Sequence, residues 1–385
     1  MAVPKAAGAQ TVHVDFIVIG GGIAGASAAS ALAEDGSVAL VEQEATTGYH
    51  SSGRSASVLS ETSGHPVLCA LAAASRSFFE SPPTGFAEHP LVSPRGLLWV
   101  GRQQDTDELD VLASKARAIA HSVRRITASE VRDIVGHFRD EAVAGGGTFE
   151  PDAMAIDSDA LLQGFVRSMR ARGGLLLTSS PAVQASRMGQ TWEVTAGSVT
   201  LRAPIVVNAA GAWGDVVAHR SGVRPIGLRP KRRTACIVAL ADVDPRWPMV
   251  MDIAGRYYVE PDPGGFLVSP ADATPSEPCD AQAEEIDVAL ALDEIREATT
   301  LPVRSVRRAW AGLRTFSPDD GPVVGEDPDA PGFWWLVGQA GAGIKTAPAM
   351  AAALVAMIHG RPLPAAISGR SVGISDLSPV RFRLG

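Results

Sequence analysis

The sequence predicts an α/β fold: a Rossmann-like dinucleotide-binding domain joined to a second, β-sheet-rich α+β domain. Three observations carry that expectation. The stretch Asp15 to Glu42 reads as strand, Gly-rich turn, helix, strand and terminal acid. A second strand, Gly-rich turn and helix follow near the C-terminus, from Phe333 to His359. Between the two lie many short apolar runs set off by turn residues, the pattern of a sheet-rich domain.

The first stretch is DFIVIGGGIAGASAASALAEDGSVALVE. Phe16 to Ile19 is an apolar run bounded by Gly, as a buried parallel strand requires. Gly20, Gly22 and Gly25 have G-x-G-x-x-G spacing. Gly20 allows the tight turn, Gly22 lets the backbone approach a pyrophosphate, and Gly25 lets helix and strand pack closely. The helix from Ala24 to Ala33 offers its free N–H groups and partial positive charge to that phosphate. Val38 to Val41 is the second strand. Glu42, about 20 residues on, stands where a carboxylate accepts from ribose hydroxyls. An acid there fits an unphosphorylated ribose, hence FAD or NAD rather than NADP.

The 385 residues suffice for two domains, and 46% hydrophobic content marks a globular chain. A net charge of −8 argues against a nucleic-acid partner. Cys69, Cys236 and Cys279 are odd in number and widely spaced. They give no disulfide framework or metal-ligand spacing and point to a reducing, cytoplasmic setting. No apolar run is long enough to span a bilayer, and residues 1–14 read as a loose N-terminal extension without a signal peptide's apolar segment.

In chain order, GYHSSGRSAS (Gly48 to Ser57) is a small, polar loop able to wrap a pyrophosphate. Pro66 to Glu80 and Asp105 to Ala120 read as helices around a strand at Leu97 to Val100. Thr127 and Glu130 have capping-box spacing. Asp157 to Arg172 is an amphipathic helix, followed by short strands at Leu175–Leu177, Val183–Arg187, Trp192–Thr195 and Val199–Leu201. Ile205 to Asp215, IVVNAAGAWGD, runs a strand into small residues that let a backbone meet a flat ligand. Thr234 to Ala239 is a strand preceded by Arg229, Lys231, Arg232 and Arg233. Alternation along it forces one of Arg232 and Arg233 inward. A hairpin follows at Arg256–Pro261 and Gly265–Ser269, then a helix at Glu284–Thr299 and a strand at Ser305–Phe316. The C-terminal strand, turn and helix close the first domain. This gives a discontinuous nucleotide domain of 15–87, 150–222 and 312–385, and a second domain of 88–149 and 223–311.

Five segments together resemble the glutathione-reductase-type flavoproteins of the D-amino-acid oxidase (DAO) superfamily: IGGGIAG, GYHSSGRSAS, VVNAAGAWGD, DDGPVVG and GQAGAGIKTAPAMAAALVA. Within it, LAAASRSFFESPPTGFAEHPLVSPR, GVRPIGLRPKRR and AWAGLRTF are similar to bacterial FAD-dependent D-arginine dehydrogenases. The resemblance implies a DAO-like fold and noncovalent FAD. The related sarcosine oxidases attach flavin through a C-terminal cysteine, whereas the last cysteine here, Cys279, precedes the C-terminal glycine motif. FAD would be held by Gly20, Gly22, Ile23, Ala24 and Gly25. Glu42 and Gln43 would take the ribose, and Val183 the adenine. Ser51, Ser52, Arg54 and Ser55 would lie along the pyrophosphate and flavin, with Ala210, Gly211 and Trp213 against the cofactor. Gly341, Gly343, Ile344, Lys345 and Thr346 would edge the pyrimidine ring, with Lys345 and the helix N-terminus stabilising its negative charge when reduced.

The family's substrate carboxylate clamp falls on Arg232, Arg314 and Tyr258, with Gly341 beside it and Ser60 as a polar contact. The planar fork of Arg suits a carboxylate. Three departures stand out. The arginine dehydrogenases have a histidine, a tyrosine and a guanidinium-binding acid where this chain has Val58, Ser63 and Leu97. Burying a cationic side chain without that acid would cost several kcal/mol, so an uncharged, apolar side chain is expected. Glu61 and Glu88 are the candidate substitutes for the lost acid. The implied reaction is hydride transfer from Cα of a D-amino acid to flavin N5, giving an imino acid and then a 2-oxo acid and ammonia. A quinone-like acceptor, or oxygen, would reoxidise the flavin, with peripheral membrane association through a quinone. Other readings stay open: oxidation of an N-substituted amino acid or biosynthetic amine intermediate in a sarcosine- or glycine-oxidase-like manner, a flavoprotein without turnover, and an NAD-linked dehydrogenase.

Overall fold

The computed structural model describes residues 10–240 and 243–383. Phe16–Ile19 and Val38–Val41 are buried at every position, as strands covered on both faces must be. They are central to a six-stranded sheet ordered Leu175–Leu177, Val38–Val41, Phe16–Ile19, Ile205–Asn208, Phe333–Val337, Val323–Glu326. The first five run parallel and the last antiparallel. Helices Ile23–Leu32, Pro66–Glu80, Ser158–Ala171 and Gly343–Ile358 share one apolar core. A second cluster joins the sheet to a four-stranded sheet around Trp192 and Leu201.

Two glycines fix the first turn. Gly20 has φ +109°, and a Cβ on Gly25 would lie 1.8 Å from the Gly20 carbonyl oxygen. No side chain fits between that strand and helix Ile23–Leu32.

The second layer is a ten-stranded mixed sheet. Its longest pair, Arg229–Ala239 and Val306–Phe316, is antiparallel, with Lys231 opposite Arg314 and Arg233 opposite Gly312. One face carries Leu97, Ala235, Ile237, Met249, Tyr258 and Leu267. A separate cluster, with Cys236, Val238, Val250, Val259 and Val268, packs with Ala291, Ile295 and Ala298 of helix Glu285–Ala298.

The structure corrects three boundaries. Residues 1–9 lie outside the described residues, but Gln10–His13 is not loose: it pairs in parallel with Val199–Ala203 as an edge strand. The boundary expected at 311/312 cuts a strand, since Val306–Phe316 stays wholly in the ten-stranded sheet. The strand expected at Thr234–Ala239 begins at Arg229, because Val306–Phe316 supplies partners along its basic half. Among the described residues no helix is long and apolar enough to cross a membrane, and no cluster of His, Cys, Asp and Glu is arranged to hold a metal.

Candidate active site

One cavity runs from the Gly-rich turn to the face of the ten-stranded sheet. At its nucleotide end Glu42 is buried. Its Oε2 accepts from Gly21 N at 2.7 Å and its Oε1 from Glu44 N at 2.8 Å. Burial raises its pKa and the two N–H donors oppose that rise. Gly20, Gly22, Ile23, Ala24 and Gln43 line the same end.

The middle is a loop pinned between helix Ile23–Leu32 and strand Val306–Phe316. Ser52 Oγ accepts from Ile23 N at 2.9 Å, and Ser51 Oγ donates to Leu313 O at 2.6 Å. Arg54 donates to the main-chain oxygens of Tyr49, Ala281 and Ala311 and pairs with Asp280. Ser55, Ala210, Gly211 and Trp213 complete this wall. Helices Ile23–Leu32 and Gly343–Ile358 begin here, and neither has a side-chain hydrogen bond at its N-cap residue, Gly22 or Ala342. Ser52 takes the first N–H of helix Ile23–Leu32, and the remaining first-turn N–H groups of both helices offer positive potential to an anion.

At the far end Arg233, Arg314, Tyr258, Gly341, Gly343 and Ile344 meet. The guanidinium carbons of Arg233 and Arg314 each lie 5.8 Å from the centre of the Tyr258 ring. Burial first, then the charge of Arg314, pushes the Arg233 pKa down to about 10.

A buried acid at a strand end, two helix N-termini and a Gly-rich turn form a cradle for a dinucleotide, so the residues present fit FAD. The family model for FAD-dependent oxidoreductases (DAO) matches residues 15–357. The chain belongs to that family. This FAD-dependent oxidoreductase is 24% identical over 354 residues to a glycine oxidase of Geobacillus kaustophilus, covering 88% of this chain and 91% of that one. It is 28% identical over 329 residues to glycerol-3-phosphate dehydrogenase 1 of Mycobacterium tuberculosis, covering 78% and 62%. Its fold matches the crystal structure of L-proline dehydrogenase from P. horikoshii with a TM-score of 0.81 at 19% identity, over 98% and 99% of the two chains. The finer likeness to D-arginine dehydrogenases rests on the sequence stretches alone.

Several expected site residues of this oxidoreductase are elsewhere. Arg232 is turned out of the cavity, paired with Glu284 and Asp287. The inward arginine is Arg233, which the sequence reading passed over. Lys345 does not face the cavity: its buried Nζ donates to Ser60 O at 2.9 Å, Ser63 O at 2.8 Å and Ser63 Oγ at 3.1 Å. Burial pulls its pKa below the ordinary lysine value. Thr346 Oγ1 donates to Ala342 O within its own helix. Ser60 is buried and gives its hydroxyl to Glu150 Oε2 at 2.7 Å, so it is no substrate contact. Gly25 sits beneath the turn. Val183 belongs to strand Ala182–Met188 and its side chain lies outside the described residues; the preceding Pro181 lines the cavity.

The acids proposed to replace the missing one are also accounted for. Glu61 is paired with Arg76, and Glu88 is exposed away from the cavity. Leu97 lies in the apolar cluster with Met249 and Tyr258, with Val58 packed against it. Sequence reasoning also missed His50, which lines the cavity with its ring 4.6 Å from that of Trp213 and tilted 44° to it. It stood inside GYHSSGRSAS, and a polar loop motif gives no sign of which member turns inward.

Proposed function

We propose that this protein oxidises the Cα–N bond of a free D-amino acid with an uncharged, apolar side chain. The product is an imino acid, which water converts to a 2-oxo acid and ammonia. One observation carries the reading: among the described residues, neither Arg233 nor Arg314 has a carboxylate within hydrogen-bond distance, yet both converge on Tyr258 in the cavity. Two cations held in that way call for an anion, and a carboxylate matches the guanidinium fork.

The surroundings support an apolar side chain. Ala56 and Ala235 line the cavity, and Leu97, Met249, Ile237 and Leu267 pack in the same cluster. A cationic substrate side chain would find Glu61 already engaged by Arg76. The D configuration rests on the likeness to D-arginine dehydrogenases.

Bound FAD supplies the hydride acceptor. The chain's own residues bind and orient: Arg233 and Arg314 fix the carboxylate, and Tyr258 sits between them. An amine that binds neutral needs no strong base, because its proton leaves to solvent as the imine forms. This agrees with Val58 where the related enzymes have histidine. The acceptor class is a quinone-like carrier or oxygen, and a quinone would bring the protein to a membrane surface.

A second reading is oxidation of an N-substituted amino acid or biosynthetic amine intermediate. The glycine oxidase relative and the lack of an acid at Leu97 support it equally. An anaerobic panel of D-, L- and N-methyl amino acids and glycerol phosphate tests both. Bleaching of the flavin's visible band by D-leucine or D-methionine supports the first reading. Bleaching by N-methyl compounds alone replaces it with the second, and bleaching by glycerol phosphate alone rejects both.

A further inference from the structure

Arg233 enters the cavity, but what aims it lies outside. After strand Gly265–Ser269 the chain turns through Ala271, whose φ of +54° is a conformation that costs a non-glycine residue free energy. Ser269 Oγ braces the turn, accepting from Ala271 N at 3.2 Å and donating to Thr234 O at 2.5 Å. The turn delivers Asp272 to strand Arg229–Ala239. Its Oδ1 accepts from Thr234 N at 2.7 Å and its Oδ2 from Thr234 Oγ1 at 3.2 Å. Its main-chain oxygen accepts from Arg233 Nε at 2.5 Å, and its Oδ1 lies 3.9 Å from that nitrogen.

Two consequences follow. A guanidinium is planar, so fixing Nε at a main-chain oxygen fixes where its two Nη groups point. Those Nη groups lie beside Tyr258, whose side chain hydrogen-bonds to Arg233, and among the described residues they meet no carboxylate. The second consequence is electrostatic. Arg314 repels Arg233, and Asp272 is the carboxylate nearest to Arg233. Its neighbour Asp287 is engaged by Arg232 Nη2 at 2.9 Å.

We propose that Asp272 is the positioning residue of the carboxylate clamp. Locked on Thr234, it holds Arg233 Nε from behind and presents the Arg233 fork to a substrate carboxylate beside Arg314. This rests on the carboxylate-binding reading of the cavity.

The test uses FAD-loaded wild type, Asp272→Ala and Asp272→Asn. The probes are 4-methylpentanoate and 4-methylpentanamide, which carry no oxidisable amine, and binding is read from the flavin spectrum. The expected result is that Asp272→Ala weakens carboxylate binding by about tenfold and Asp272→Asn by about threefold, with amide binding and FAD affinity unchanged. KM should rise in step while kcat moves little. Asn keeps an acceptor for Thr234, so a folded Asp272→Asn decides the matter if Asp272→Ala does not fold. Variants with wild-type preference for acid over amide would overturn the positioning role and leave the clamp standing. Equal loss of acid, amide and FAD would also overturn it, assigning Asp272 to the fold. A wild type that does not prefer acid to amide would overturn the clamp and the positioning role together.

Discussion

Arg233 and Arg314 stand two register positions apart on neighbouring antiparallel strands, on one face of the sheet, and their guanidinium carbons are equally distant, 5.8 Å, from the Tyr258 ring centre. Arg232, one residue away from Arg233, reaches the opposite side and pairs with two acids. One strand thus carries, side by side, an arginine that lines the cavity and an arginine held by acids outside it.

That division is testable by kinetics. Arg233→Met or Arg314→Met is expected to cut kcat/KM by about 100-fold or more, the scale of a lost charged partner in a buried site. Arg232→Met is expected to change kcat/KM less than about threefold while lowering the melting temperature, because Asp287 loses its ion pair. A large kcat/KM loss in Arg232→Met with a silent Arg233→Met would reverse the assignment.

Side-chain preference is a second outcome. D-Leucine and D-methionine are expected to exceed D-arginine in kcat/KM by about 100-fold, since an unpaired buried guanidinium costs several kcal/mol. A D-arginine preference, measured under the same acceptor, would show that some acid reaches the side chain after all.

Lys345 gives a third. Lys345→Ala strands the main-chain oxygens of Ser60 and Ser63. A loss of about 2–4 kcal/mol in folding stability is expected from orphaned buried acceptors, visible in chemical denaturation of the FAD-loaded protein. A variant of unchanged stability but altered flavin potential would put Lys345 back at the cofactor.

Much of this was legible in the sequence, and the misses have physical causes. The Gly-rich turn and Glu42 act within one short βαβ segment, so spacing alone places them. Alternation requires one of Arg232 and Arg233 to face in. Which one depends on pairing with Val306–Phe316 and on acids in helix Glu285–Ala298, both remote in sequence. Lys345 follows Gly343 and Ile344, which do line the cavity. One further residue turns about 100° around a helix, enough to send the ammonium to the Ser60–Ser63 loop. The expectation of Ser60 as a polar substrate contact fails because its captor, Glu150, lies far along the chain and leaves no local signal.

A fourth expectation concerns pH. Burial raises the Glu260 pKa from 4.5 to about 7. Between those values the folded protein keeps a proton the unfolded chain has released, so this group lowers stability as pH rises through that window. Glu260→Gln should match wild type near about pH 4 and exceed it by about 1–3 kcal/mol above about pH 8. Thermal melts across pH check this; an offset that does not vary with pH would contradict it.

The most direct measurement of the central claim compares D-leucine with D-leucinamide, titrated anaerobically into the FAD-loaded protein. The two share the Cα–H, the amine and the side chain and differ only in the carboxylate. A clamp of Arg233 and Arg314 requires D-leucine to bleach the flavin at concentrations about 100-fold lower than the amide. Equal bleaching by both would mean that the two arginines do not bind the substrate's carboxylate, and the proposed function would fall.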